Sequence, residues 1–189
     1  MPANLSLTGT GLDCPKIAGI KKLFIIPTAD ISLITLGADH DITNIVFETA
    51  GEGFGTIDFK RGEAEVTETF ERMNEVTVNF ALPNPTSTQR LALQKIKDTC
   101  EMYAVAQLYD RNELLFIGYD AVSEEEGFLT HQTAEGTTGR AKDDDNYTSV
   151  TLVAQQGEYV RVLSEISGTT PASETTAEIV AELLAATNV

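Results

Sequence analysis

The chain has no tryptophan, two histidines and two cysteines in 189 residues. The missing tryptophan and scarce histidine disfavour a sugar site built on aromatic platforms and a histidine-rich metal centre. His40 and His131 are too few for such a zinc site, and no ligand spacing around Asp39-His40-Asp41 supports a metal. Cys14 and Cys100 form no CxxC pair, so neither a disulfide framework nor a thiol redox motif is expected. Both are expected as buried or half-buried thiols. Long apolar runs are absent too. Leu23 to Ile26 and Leu114 to Ile117 are strand-sized and far short of a membrane span. Met1 to Thr10 carry neither a basic n-region nor a sustained apolar h-region, so synthesis in the cytoplasm without export by the usual route is expected.

Positive charge is scarce as well. Asp and Glu total 29 against 13 Lys and Arg, a formal net charge of −16. A chain of this sign repels nucleic acid and anionic membranes at long range. Hydrophobic residues nevertheless make up 42%, ordinary for a folded domain with a core.

The apolar residues recur mostly with period two. Ile20 to Ile26 is a strand ended by Pro27, and Ile31 to Leu36 and Ile42 to Glu48 alternate as half-buried strands. The clearest pattern runs from Ile57 to Leu82 and predicts a long hairpin with two unlike faces. Ala64, Val66 and Phe70 fall on one side, and Glu63, Glu65, Thr67, Thr69 and Glu71 on the other. After a turn at Arg72 to Glu75, the residues Val76, Val78, Phe80 and Leu82 repeat the apolar side. Glu68 falls among the apolar set, which predicts a bulge or a position at the sheet rim.

Thr86 and Gln89 form a capping box opening a helix from Ser87 to about Met102, with Leu93, Ile96 and Cys100 on its core face. Strands follow over Tyr103 to Tyr109 and Leu114 to Tyr119, and a short one over Gly127 to His131. Gln132 to Asn146 reads as a long polar loop, and Tyr147 to Ala154 and Tyr159 to Leu163 as strands. Beyond a linker at Ser164 to Thr170, Pro171 opens a last helix with Ile179, Val180, Leu183 and Leu184 as its stripe. The fold class expected is mainly β (α+β): a β-sandwich or open barrel with one packed helix, a two-faced hairpin and a C-terminal helix. Residues 1–16 read as an N-terminal arm, 17–163 as the sandwich domain, and 164–189 as linker and helix.

Recognisable catalytic and ligand-binding patterns are missing. Gly51-Glu52-Gly53-Phe54-Gly55 lacks the Lys-Ser/Thr of a phosphate loop and leads into a strand. Asp143-Asp144-Asp145-Asn146 lacks the spacing of a calcium loop, and Glu124-Glu125-Glu126 reads as a solvated turn. No serine sits in a nucleophile elbow. The expectation is therefore a protein that is not an enzyme and needs no cofactor or metal.

The order of elements, two-faced hairpin then helix then closing strands, resembles the tail-tube family of bacteriophages. Gly19 to Ile26, Tyr109-Asp110-Arg111-Asn112-Glu113 before Leu114 to Tyr119, and Asp145 to Leu152 are similar to stretches of phage structural proteins. The resemblance covers residues 17–163. It departs in lacking a Gly before Tyr147 and in carrying the C-terminal helix. It implies a self-assembling subunit in a homo-hexameric ring of the virion tail, with neighbouring tail proteins as further partners. Double-stranded DNA would pass without being bound, and no membrane is involved. Glu63, Glu65, Thr67, Thr69 and Glu71 would line the lumen. Thr137, Arg140, Asp143, Asp144 and Asp145 would lie on a subunit or ring contact loop. Two other readings stand beside it: another virion component, such as a head decoration, baseplate or adhesion module, and a cytosolic β-sandwich ligand-binding domain.

Overall fold

A computed structural model describes residues 19–38, 41–48, 55–69, 73–109, 113–121, 127–137, 146–164, 180–181 and 183. The fold is mainly β: among these residues it has eleven strands in two sheets and an α-helix over Ser87–Asp98, with Val180, Ala181 and Leu183 also helical. The strands are β1 (Ile20–Pro27), β2 (Ile31–Leu36), β3 (Asp41–Phe47), β4 (Gly55–Asp58), β5 (Ala64–Thr69) and β6 (Asn74–Pro83), then β7 (Met102–Leu108), β8 (Leu114–Ile117), β9 (Thr130–Thr137), β10 (Tyr147–Gln156) and β11 (Arg161–Leu163). The helix α1 (Ser87–Asp98) lies between β6 and β7. One sheet has seven strands in the order β2-β3-β11-β8-β7-β1-β4, and the other has four in the order β5-β6-β10-β9.

Burial explains which strands sit centrally. β1 reads IKKLFIIP, and its residues from Leu23 to Ile26 are all buried. β7 is buried from Met102 to Gln107. Near-continuous apolar runs of this kind suit a strand covered on both faces, where alternation has no solvent side to favour. One face of the large sheet offers Leu23, Ile25, Ala104 and Ile117 to the core shared with Val76, Val78, Phe80, Val150 and Leu152 of the small sheet. The opposite face offers Phe24, Ile26, Val105 and Phe116 to a second cluster, which Leu183 and Val180 join from the C-terminal region. Ile179 and Leu184 of the expected stripe lie outside the described residues. Within the second cluster Tyr103 stacks 5.2 Å from Phe116. Burial pushes its phenol up to about 12, with Tyr119 and Glu101 nearby adding to the shift. Gly118 ends β8 at φ +100°, and a Cβ there would sit 2.9 Å from the Met102 carbonyl oxygen.

Four expectations need correction. The hairpin does not begin at Ile57: β4 pairs with β1 in the large sheet, and only β5 and β6 form the hairpin. The chain crosses between sheets over Phe59 to Glu63, where Phe59 donates its N–H to Lys21 and its ring lies 5.5 Å from Phe80. Helix α1 stops at Asp98, with Thr99 extended, because Met102 already pairs with Pro27 in β7. Cys100 falls between the two elements and is exposed, so it is not a core-facing thiol; Cys14 lies outside the described residues. Gln132 to Thr137 are not loop but most of β9, paired along β10. β9 is an edge strand whose side chains from Gln132 to Gly136 are exposed, so no apolar alternation marks it. Glu68, by contrast, meets one of its two expectations: it makes no bulge, since β5 and β6 keep register through Glu68 opposite Val76, and it lies at the sheet rim, on the edge strand β5.

Candidate functional site

The two faces of the hairpin are set by the pleat. Inward residues of β6 are buried at every second position from Asn74 to Leu82, and Ala64 and Val66 follow them on β5. The alternate residues therefore form the outer face of the four-stranded sheet. Cross-strand register arranges that face in rows. Glu65 stands opposite Asn79, Asn79 opposite Thr151, and Thr151 opposite Thr133. The next row runs Thr67, Thr77, Val153 and Thr130. Thr69 faces Glu75, which faces Gln155. Toward the other end, Ser149 lies between Ala81 and Glu135.

Short polar side chains hydrogen-bond between neighbouring strands across this surface. The Thr151 hydroxyl donates to Asn79 Oδ1 at 2.9 Å, and the Thr130 hydroxyl donates to the Val153 carbonyl at 3.1 Å. Glu65, Thr67, Thr69, Glu75, Glu135 and Gln155 are exposed. The four strands carry no lysine or arginine. The carboxylates of Glu65, Glu75 and Glu135 thus lie on one face with no cation of these strands beside them.

Of the residues expected on a lumen-facing side, Glu65, Thr67 and Thr69 share this outer face. Glu63 precedes β5, is half-buried, and accepts the Lys60 backbone N–H at 2.7 Å through Oε2. Glu71 lies outside the described residues. Of the expected contact loop, Thr137 ends β9 opposite Tyr147, and Arg140, Asp143, Asp144 and Asp145 lie outside the described residues. Sequence reading missed Glu75, which it placed in a turn, and Glu135, which it placed in a loop. The period of two that continues through Val76 carries the signal for Glu75. Nothing local carries it for Glu135, since only pairing with β10 puts it on the face.

Among the described residues, the sheet ends in two edge strands, β5 and β9, each paired on one side only. Among the described residues, no three His, Cys, Asp or Glu side chains gather in a way that could hold a metal ion, and no helix is long and apolar enough to cross a membrane. Such a surface can repel polyanions, and its edges can accept another strand. No protein-family model, curated protein or solved structure matches the chain.

Proposed function

We propose that the chain is a structural subunit that closes into rings, β5 of one copy pairing with β9 of the next, and that such rings line a phage-type tail tube through which the genome passes. The observation that carries this reading is the acidic outer face of a small sheet whose four strands carry no lysine or arginine and whose two flanks, among the described residues, are both edge strands. Edge strands invite pairing, and a head-to-tail contact that closes by rotation gives a ring. In a six-fold ring, about 24 strands spaced about 4.8 Å apart make a circumference of roughly 115 Å and a backbone-to-backbone bore of roughly 37 Å, before strand tilt widens it. A DNA duplex fits through such a bore.

The acidic face then serves transport. Duplex DNA carries one phosphate charge per about 1.7 Å of axis, and a conduit that held those phosphates would stall it. Glu65, Glu75 and Glu135 on every copy keep the wall repulsive, and threonine and asparagine between them offer only neutral contacts. The segment carrying Arg140, Asp143, Asp144 and Asp145, which joins β9 to β10, would meet the adjacent ring.

Electron microscopy of the purified protein at high concentration tests assembly: rings or short tubes are expected, and a monomer at all concentrations counts against the proposal. Replacing Glu65, Glu75 and Glu135 by lysine tests transport. Rings of the variant should still form and should retain duplex DNA that the original rings release. Equal release by both would remove the role assigned to the acidic face.

A further inference from the structure

Among the described residues four strands end the two sheets: β2 and β4 the large one, β5 and β9 the small one. Three of them carry acids: Asp58 in β4, Glu65 and Glu68 in β5, and Glu135 in β9. β2 reads ISLITL and carries no charge and no proline. Charge and proline are the usual devices that keep a sheet edge from joining another chain, and β2 has neither. Within the described fold it pairs with β3 alone.

Its side chains add an apolar face. Ile31 and Ile34, with Phe47 and Ile45 opposite them in β3, turn toward the second core cluster. Leu33 and its cross-strand neighbour Val46 therefore point to the other side of the sheet. That is the side the small sheet covers, but the small sheet stops short of them. One end of it lies at Leu82, which shares a groove with Ile57 of β4. The other end lies at Gln156, whose side-chain N–H donates to the Tyr119 carbonyl just past β8, and at Glu68, which reaches Val160 just before β11. β3 and β2 lie beyond β11 in the large sheet. Leu33 is left 54% exposed and Val46 40%.

An uncharged strand edge fits another uncharged strand edge. The charge of −16 sets copies of the chain against one another over most of the surface, and this flank is where that opposition is weak. The six residues of β2 and the seven of β3 contain one charged side chain, Asp41, which is half-buried and accepts the Ser164 hydroxyl at 2.8 Å. Exposed Glu48 comes only after β3 has ended. A two-fold axis lets one patch serve both partners, and it sets two β2 strands antiparallel. Val46 and Leu33 of one copy then share a face with Leu33 and Val46 of the other, across four adjacent strands.

We propose that two copies of the chain pair through β2, antiparallel about a two-fold axis, which joins their seven-stranded sheets and covers Leu33 and Val46 of each copy. The contact uses neither β5 nor β9 and stands apart from ring closure. Two strands of six residues bury less than the roughly 1,200 Å² of a standard stable interface. The pairing is therefore weak, with a dissociation constant between about 1 µM and about 1 mM.

Sedimentation and hydrogen exchange of the full chain at about 5 µM and about 1 mM test it. At the higher concentration dimers should form, and the amides of Ile31–Leu36 should exchange at least tenfold slower than at the lower, with those of β4 unchanged. Leu33→Lys puts a charge on the edge and should weaken dimer formation at least tenfold. Leu91→Lys, at an exposed position of α1, should leave it unchanged. Urea titration reads whether each variant folds. Thr35→Lys, at an exposed position one step along the same face, takes the place of Leu33→Lys if that variant does not. Slower exchange at β5 and β9 alone would support ring closure and overturn pairing through β2. Equal exchange of β2 at both concentrations would overturn it as well, slow rates there meaning that the strand is already covered within one chain. A dimer as strong with lysine on the edge as without it would place the contact elsewhere and overturn the proposal.

Discussion

At the residue scale, Glu68 shows how one charged side chain ties the two sheets. It sits on the inward side of β5, where its neighbours Ala64 and Val66 face the core. Its Oε1 accepts the backbone N–H of Val160 at 2.8 Å, just before β11 of the large sheet. A buried donor that loses its acceptor costs about 1–3 kcal/mol. Glu68→Ala should therefore lower unfolding stability by about 1–3 kcal/mol in urea titrations, while Glu68→Gln, which keeps an acceptor, should lose less than half of that. Equal losses in the two variants would mean that the carboxylate's charge, and not the hydrogen bond, matters. The exception was visible in the sequence, since an acid breaks the apolar period there. Its purpose was not, because the partner is 92 residues away. A neighbouring network shows the same limit. Arg161 is gripped by Glu158 at 2.6 Å, and Glu158 also accepts the Ala121 N–H. Asp120 accepts the Gly157 N–H at 2.8 Å. Glu158 and Arg161 are three residues apart, but the contacts of Glu158 with Ala121 and of Asp120 with Gly157 span 37 residues and follow from no local pattern.

At the element scale, legibility depends on whether the deciding interactions are local. Helix α1 starts where Thr86 and Gln89 place it: the Gln89 N–H donates to the Thr86 hydroxyl at 3.3 Å, and the Thr86 N–H donates to Gln89 Oε1 at 2.8 Å. Both contacts span three residues, so the sequence displays them. Thr86→Ala should cost about 1 kcal/mol, read as a shift of the urea midpoint with unchanged slope; Thr86→Ser should restore most of it. The end of α1 is a different case. Thr99 and Cys100 could continue a helical stripe, but the chain must turn to bring Met102 beside Pro27 and Leu129. Strands covered on one side, such as β6 and β10, announce themselves by alternation. β9 does not, since its residues from Gln132 to Gly136 are exposed on both sides, and β4 hides for another reason. Its residues read as part of the following hairpin, and only the crossing at Phe59 sends it to the other sheet. The acidic face was thus legible along β5 and only in part across the sheet: Glu65, Thr67 and Thr69 follow from period two, whereas Glu135 needs β9 to exist.

At the scale of the whole molecule, the charge of −16 opposes any assembly of identical copies, and a ring concentrates that opposition. Several of the cations in the described fold are engaged within the chain. Lys22 lies 3.1 Å from Asp58, Arg161 is held by Glu158, and Arg61 sits over the Tyr109 ring. The four strands of the small sheet carry no lysine or arginine to offer a neighbour. Edge-to-edge pairing of β5 with β9 would rest on backbone hydrogen bonds, which salt hardly weakens, against carboxylate repulsion, which salt screens. The Debye length falls from about 10 Å at 0.1 M to about 3 Å at 1 M. Ring formation, followed by sedimentation, should therefore move to lower protein concentration as salt rises across that range. Changing Glu65, Glu75 and Glu135 to glutamine should shift assembly the same way at low salt and flatten the dependence. An interface held by ion pairs gives the opposite slope, with rings dissociating as salt rises. That outcome would place the contact on charged surfaces elsewhere in the chain and leave the β5 and β9 edges without the role proposed for them.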